Sequence, residues 1–150
     1  MLLYLLRHAD ADTPASSDSA RALSEKGKAQ ASKVARFCEA HDMQLSLVLS
    51  SPVRRAHETA QIVSATLRAE LLVAPWMACG MAPQTALEEL RAYRSQGSVL
   101  IVGHEPDFSS EVGRLTGAKA KLRKGGLAII DGNTLVALLR PKDLLAIAGR

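Results

Sequence analysis

The stretch Ser98-Val99-Leu100-Ile101-Val102-Gly103-His104 holds four consecutive apolar residues, three of them β-branched, and stops abruptly at Gly-His. A short continuous run of this kind fits a strand covered on both faces, as in a sheet layered between helices. A second run, Leu2 to Leu6, stops at Arg7-His8, and a third, Leu45 to Leu49, stops at Ser50-Ser51-Pro52. Helical patterns fill the intervals. Ser24 is placed to cap a helix with Glu25 in its first turn, and Val34, Phe37, Cys38 and His41 form its stripe. Pro52 suits the first turn of the next helix, which Ala56, Ala60, Ile62, Val63 and Leu67 continue. Further along, Glu70 to Val73 reads as a strand, Gln84 to Tyr93 as a helix, and Asp107 as the cap of a helix reaching about Leu115. Leu127 to Ile130, Asp131-Gly132-Asn133 and Leu135 to Leu139 read as a hairpin. Thr13 to Ser19, rich in Ser, Ala, Asp and Pro, reads as a mobile loop. The alternation predicts one α/β domain over residues 1–150, a three-layer sandwich with a mostly parallel central sheet flanked by helices.

Composition narrows the function. Hydrophobic residues make up 47% of the 150 and charged ones 23%, enough apolar surface to offset the entropy of ordering. Aromatics are only 3%, so the core is aliphatic and the stacking platforms of single-stranded nucleic-acid binders are missing. Nineteen Lys and Arg against fifteen Asp and Glu leave +4, which suits an anionic ligand or acidic partner and is too little alone to argue for nucleic acid. No apolar run approaches the roughly 20 residues of a membrane span. Met1 to Arg7 reads as a strand instead of a signal peptide, having no basic region before it and no small-residue cleavage site after it. Cys38 and Cys79 form no metal-spaced cluster, so reduced thiols and a cytoplasmic setting are expected.

The chemistry gathers where strands end, the ligand-binding edge of an open α/β sheet. Arg7-His8 follows the first strand, Ser51-Pro52-Val53-Arg54-Arg55-Ala56-His57 enters the helix after the second, and Gly103-His104 follows the most apolar one. If these converge, the pocket is one of cations and imidazoles, suited to a phosphoryl group that Arg grips by bidentate hydrogen bonds. A neutral imidazole there can also act as nucleophile and carry the phosphoryl group covalently. The spacing of His8, His57 and His104 matches no zinc signature, and the neighbouring Arg side chains would repel a cation, so no metal is expected.

Taken in order, Leu6-Arg7-His8-Ala9, Ser51-Pro52 with Arg55-Ala56 and Thr59-Ala60, and Val102-Gly103-His104 resemble the histidine phosphatase superfamily, which has a phosphoglycerate mutase-like fold. Ser17 to Gly27, Val102-Gly103-His104-Glu105-Pro106 and Lys124-Gly125-Gly126-Leu127-Ala128 resemble its small SixA-type branch of phosphohistidine phosphatases. The resemblance implies that His8 is the phosphorylated nucleophile, that Arg7 and Arg55 hold the phosphoryl oxygens, and that His104 donates to the same group. Arg21 is implied as a further basic residue near the pocket, and no cofactor is implied. Between Arg54 and Arg55, the motif selects Arg55.

Two departures bear on the substrate. Ala9 stands where the family commonly has Gly, a mild change. Larger members carry an acidic proton donor between the second and third motifs, whereas Pro75-Trp76-Met77-Ala78-Cys79-Gly80-Met81 has none, and Glu88 and Glu89 come later on a helix. An alkoxide leaving group gains about 10²–10⁴-fold from general acid catalysis, while a protonated imidazole departs more readily. The expected substrate is therefore phosphohistidine on a partner protein of a phosphorelay. The alternatives are a small phosphomonoester, with Glu88, Glu89, Asp10 or Asp12 as the acid, and a phosphate- or phosphohistidine-binding module without turnover. The basic run Arg114, Lys119, Lys121, Arg123 and Lys124 reads as a solvated face or as a dock for an acidic protein; oligomeric state is left open.

Overall fold

A computed structural model describes residues 1–13, 16–41 and 43–148. Pro14 and Ala15, in the middle of the expected Thr13 to Ser19 loop, lie outside the described residues, and the end of that loop tightens into a 3₁₀ turn over Asp18–Ala20. Six strands are present: β1 (Leu2–Arg7), β2 (Leu47–Ser50), β3 (Glu70–Val73), β4 (Ser98–Gly103), β5 (Leu127–Asp131) and β6 (Thr134–Leu139). They form one sheet in the order β3-β2-β4-β1-β5-β6. The first four are parallel, and the β5–β6 hairpin runs antiparallel along one side.

Residue alternation divides the core cleanly, because successive side chains of a strand point to opposite faces. Leu3, Leu5, Leu49, Val99 and Ile101 face one layer, packed with Phe108 and Val112 of helix α4 (Asp107–Thr116) and with Ala86 and Leu90 of helix α3 (Pro83–Arg91). Tyr4, Leu6, Val48, Leu100 and Val102 face the other, against Val34 and Phe37 of α1 (Glu25–Ala40), Ala60 and Val63 of α2 (Arg54–Leu67), and Leu144 of α5 (Pro141–Ala148). The three-layer α/β sandwich follows directly from strands apolar on both faces.

Helix ends depart from expectation in instructive places. Ser24 caps α1 as read, its Oγ accepting the Gly27 N–H at 3.0 Å. Helix α2 begins at Arg54 instead of Pro52, because the Ser51 hydroxyl accepts the Val53 N–H and holds the chain extended for one more residue. Asp107 does not cap α4; its carboxylate instead accepts the N–H groups of Gly80 (2.9 Å) and Met81 (3.1 Å), tying down a distant loop. Helix α5, absent from the sequence reading, starts at Pro141 and buries Leu144.

Gly27 is needed for a close approach. A Cβ there would lie 2.0 Å from the Asp10 carbonyl oxygen, so α1 could not rest on the segment that follows His8. Since both sides of this contact are backbone, Gly27→Ala is expected to cost about 2–3 kcal/mol, a Tm loss of roughly 5–10 °C in thermal unfolding. An unchanged Tm would contradict the contact.

Candidate active site

Strand register brings the motif residues together. Pairing of β1 with β4 sets Arg7 beside Gly103, and pairing of β2 with β4 sets Ser50 beside Val102. The residues next in line, His8, Ser51 and His104, therefore leave the carboxyl ends of three adjacent strands side by side. The two imidazole centroids are 5.4 Å apart. Arg55 enters from the first turn of α2, and the hydroxyl of Thr59, one turn on, donates to the Arg55 carbonyl and accepts the Ala9 N–H. That bridge clamps the helix to the segment after β1.

His8 is 6% exposed. Its Nδ1 lies 2.8 Å from the Ala9 carbonyl, which can only accept, so Nδ1 carries the proton. Nε2 then holds a lone pair, to which the Arg55 Nε–H donates at 3.3 Å. Burial, with the charges of Arg55, His104 and Arg7, pushes the pKa down from 6.5 to about 4, against the Ala9 hydrogen bond. The ring is thus neutral at physiological pH, with its unprotonated Nε2 against the guanidinium of Arg55.

His104, 3% exposed, has its Nε2 2.8 Å from the Ser51 hydroxyl. That hydroxyl already accepts the Val53 N–H and has one proton to give. Its natural acceptor is His104 Nε2, which leaves the imidazole proton on Nδ1, a buried atom with no partner among the described residues. Burial, then Arg55, pushes this pKa to about 4 as well, against Asp107 and Asp18. Ser51 is therefore a residue whose function the sequence did not reveal. Its contact with His104 spans 53 residues of sequence.

The arginines are braced by backbone. Arg7 donates from Nη1 to the Leu122 carbonyl (3.1 Å), while its Nε is buried without a partner among the described residues. Burial lowers its pKa, Glu105 opposes this, and Arg55 adds to it. Arg55, 6% exposed, donates to the Asp18 carbonyl and pairs through Nη2 with the Asp18 carboxylate at 3.2 Å. Arg21 stands one step back, donating to the carbonyls of Asp12 and Ala11 and to Asp18 Oδ1 at 3.3 Å, so it holds the loop that holds Arg55. Among the described residues His57 takes no part in this network, and its buried Nδ1 has no partner there.

Three carboxylates nearby, Asp18, Glu105 and Asp107, are occupied. Hydrogen bonding from Arg21 and the charge of Arg55 keep Asp18, with 68% of its side chain exposed, below the usual carboxylate range and hence ionised. Glu105 accepts the N–H groups of Ser109 and Leu122, and Asp107 those of Gly80 and Met81. The loop without an acid instead presents Cys79, exposed, with its Sγ 3.7 Å from Arg55 Nη2. No group of three or more His, Cys, Asp or Glu among the described residues is arranged to hold a metal ion.

Residues 3–77 match the histidine phosphatase superfamily, branch 1. The chain belongs to that superfamily. An uncharacterised protein from Picosynechococcus sp. is 30% identical over 167 residues, covering 97% of this chain and 99% of its own. A solved structure of the protein histidine phosphatase SixA complexed with tungstate superposes at a TM-score of 0.89, with 26% identity over 96% of this chain and 99% of that one. A SixA protein of Agrobacterium tumefaciens superposes at 0.83, with 27% identity over 93% and 98%. This histidine phosphatase is thus of the SixA type, and its six-stranded sheet is the phosphoglycerate mutase-like one. Family and neighbours together support phosphatase activity.

Two outcomes follow from the buried imidazoles. The unfolded chain takes up protons on His8 and His104 below pH 6.5, while the folded protein resists until about pH 4. Stability should therefore fall as pH drops through that window, and histidine-selective NMR should find both rings titrating near 4; a midpoint near 6.5 for either would contradict the neutral pair. Ser51→Ala should lower turnover about tenfold and release His104 into mixed tautomers, read from its ring nitrogen shifts, with His8 unaffected.

Proposed function

We propose that this histidine phosphatase removes phosphate from phosphohistidine on proteins, without a metal, through a phospho-His8 intermediate. The observation that carries the proposal is the His8 Nε2 lone pair, set by the Ala9 carbonyl and surrounded by Arg7, Arg55 and His104. His8 Nε2 attacks phosphorus, the substrate P–N bond breaks, and the substrate imidazole departs bearing a proton on its ring. Arg7 and Arg55 balance charge on the phosphoryl oxygens, and His104 donates from Nδ1. Water then attacks phospho-His8, releasing inorganic phosphate and restoring the neutral ring. Tungstate, a tetrahedral oxyanion, occupies the similar SixA structure, in keeping with an anion in such a pocket.

The choice of phosphohistidine over an ester rests on proton supply. Asp18 is held ionised, and Glu105 and Asp107 are engaged by backbone N–H groups. An alkoxide would leave such a site without a proton from any of these carboxylates. We take residues 1–150 as one histidine phosphatase domain, and the free thiols of Cys38 and Cys79 support a cytoplasmic setting.

Initial rates of phosphate release, without metal, from a phosphohistidine-bearing protein and from an aryl phosphate ester test this. The phosphohistidine substrate should be preferred by about 10²-fold or more, and His8→Ala should reduce both rates to background. Preference for the ester would assign the site to phosphomonoesters. Tight phosphate binding with no turnover would make the chain a binding module.

A further inference from the structure

Beside the catalytic pocket opens a second cleft, of about 540 Å³, that the phosphoryl chemistry does not use. Its walls carry six cations, Arg7, Lys26, Arg123, Lys124, Arg140 and Lys142, drawn from the end of β1, the first turn of α1, the loop before β5 and the start of α5. Against them stand two carboxylates, Asp10, 3.5 Å from Lys124, and Asp143, paired with Arg140 at 3.0 Å. Among the lining residues themselves, six cations face one carboxylate, Asp10, so positive charge is concentrated here.

Arg7 joins this cleft to the active site. It lines the cleft, lies close enough to lower the pKa of both His8 and His104, and has a buried Nε with no partner among the described residues. A substrate whose phosphoryl group sits against His8 would run past Arg7 into the cleft.

We infer that the cleft docks an acidic segment of the same protein that presents the phosphohistidine; this rests on the function proposed above. The donors decide between a peptide and a second phosphate. Lys26, Arg123, Arg140 and Lys142 are exposed, on long flexible stems from separate segments. A phosphate site is built from short-range convergent donors and backbone N–H groups at fixed positions. Dispersed point charges along a wide cleft instead match carboxylates spread along a chain, and they steer an acidic partner during encounter.

The test separates docking from turnover by measuring binding of unphosphorylated peptides by fluorescence anisotropy. One peptide has a His flanked by Asp and Glu, the other the same His flanked by Asn and Gln. The wild-type protein should bind the acidic peptide about tenfold more tightly or better at low salt, and raised salt should erase the difference. The double variant Lys26→Glu/Arg123→Glu should lose the preference while hydrolysing free phosphohistidine within about twofold of wild type. Should that variant misfold by circular dichroism, Lys142→Glu on the other wall serves in its place. Equal binding of the two peptides, or a preference that survives charge reversal, overturns the docking site. Pyrophosphate binding that the variant loses, without any peptide preference, overturns it in favour of a small doubly phosphorylated substrate. Because binding needs no turnover, either result stands apart from whether free phosphohistidine is hydrolysed, which judges the phosphatase reading itself.

Discussion

Parallel pairing of β1 with β4 is the constraint on which the rest of the molecule depends. Setting Arg7 opposite Gly103 brings two imidazoles to adjacent strand ends, within one ring contact of each other. A slip of one residue would send every side chain of β1 to the opposite face. The apolar residues of the two strands forbid it, since Leu3 and Leu5 pack in one layer and Tyr4 and Leu6 in the other. Even the small residue at the strand end is determined by packing. The Phe108 ring lies beneath Gly103, where a Cβ would approach it to 2.7 Å.

A pocket of buried cations and imidazoles is electrostatically costly, and the structure shows how the cost is spread. The imidazoles escape it by remaining neutral. The guanidinium groups escape it through backbone carbonyls, Leu122 for Arg7 and Asp18 for Arg55, and through the Asp18 carboxylate. An arriving dianion would complete the balance. Such a site is poised for negative charge without any metal in the proposed mechanism, and the basic cleft beyond Arg7 extends the same preference outward.

The motif residues at strand ends were legible because they depend on local pattern. An apolar run ends, and the next polar residue must emerge at the sheet edge. Cysteine and acid placement were legible as far as composition goes, in a loop lacking a carboxylate between Pro75 and Met81. Helix α5 escaped notice because its Pro141 start follows directly on a hairpin, and the pattern between them is short. Arg21, expected near the pocket, bonds the loop carbonyls of Asp12 and Ala11 and the Asp18 carboxylate, a geometry no spacing encodes.

By itself the sequence determined the α/β class, the alternation that buries both faces of the sheet, and the candidate set Arg7, His8, Arg55 and His104. Hydrophobic periodicity and residue chemistry are local properties, readable over a few positions. Only the tertiary structure decided that Ser51 meets His104 across 53 residues, that Asp107 serves a loop instead of its own helix, and that Arg7 stands between the imidazole pocket and the basic cleft. Those outcomes depend on which strand ends become neighbours, and strand order is settled by the packing of the whole chain.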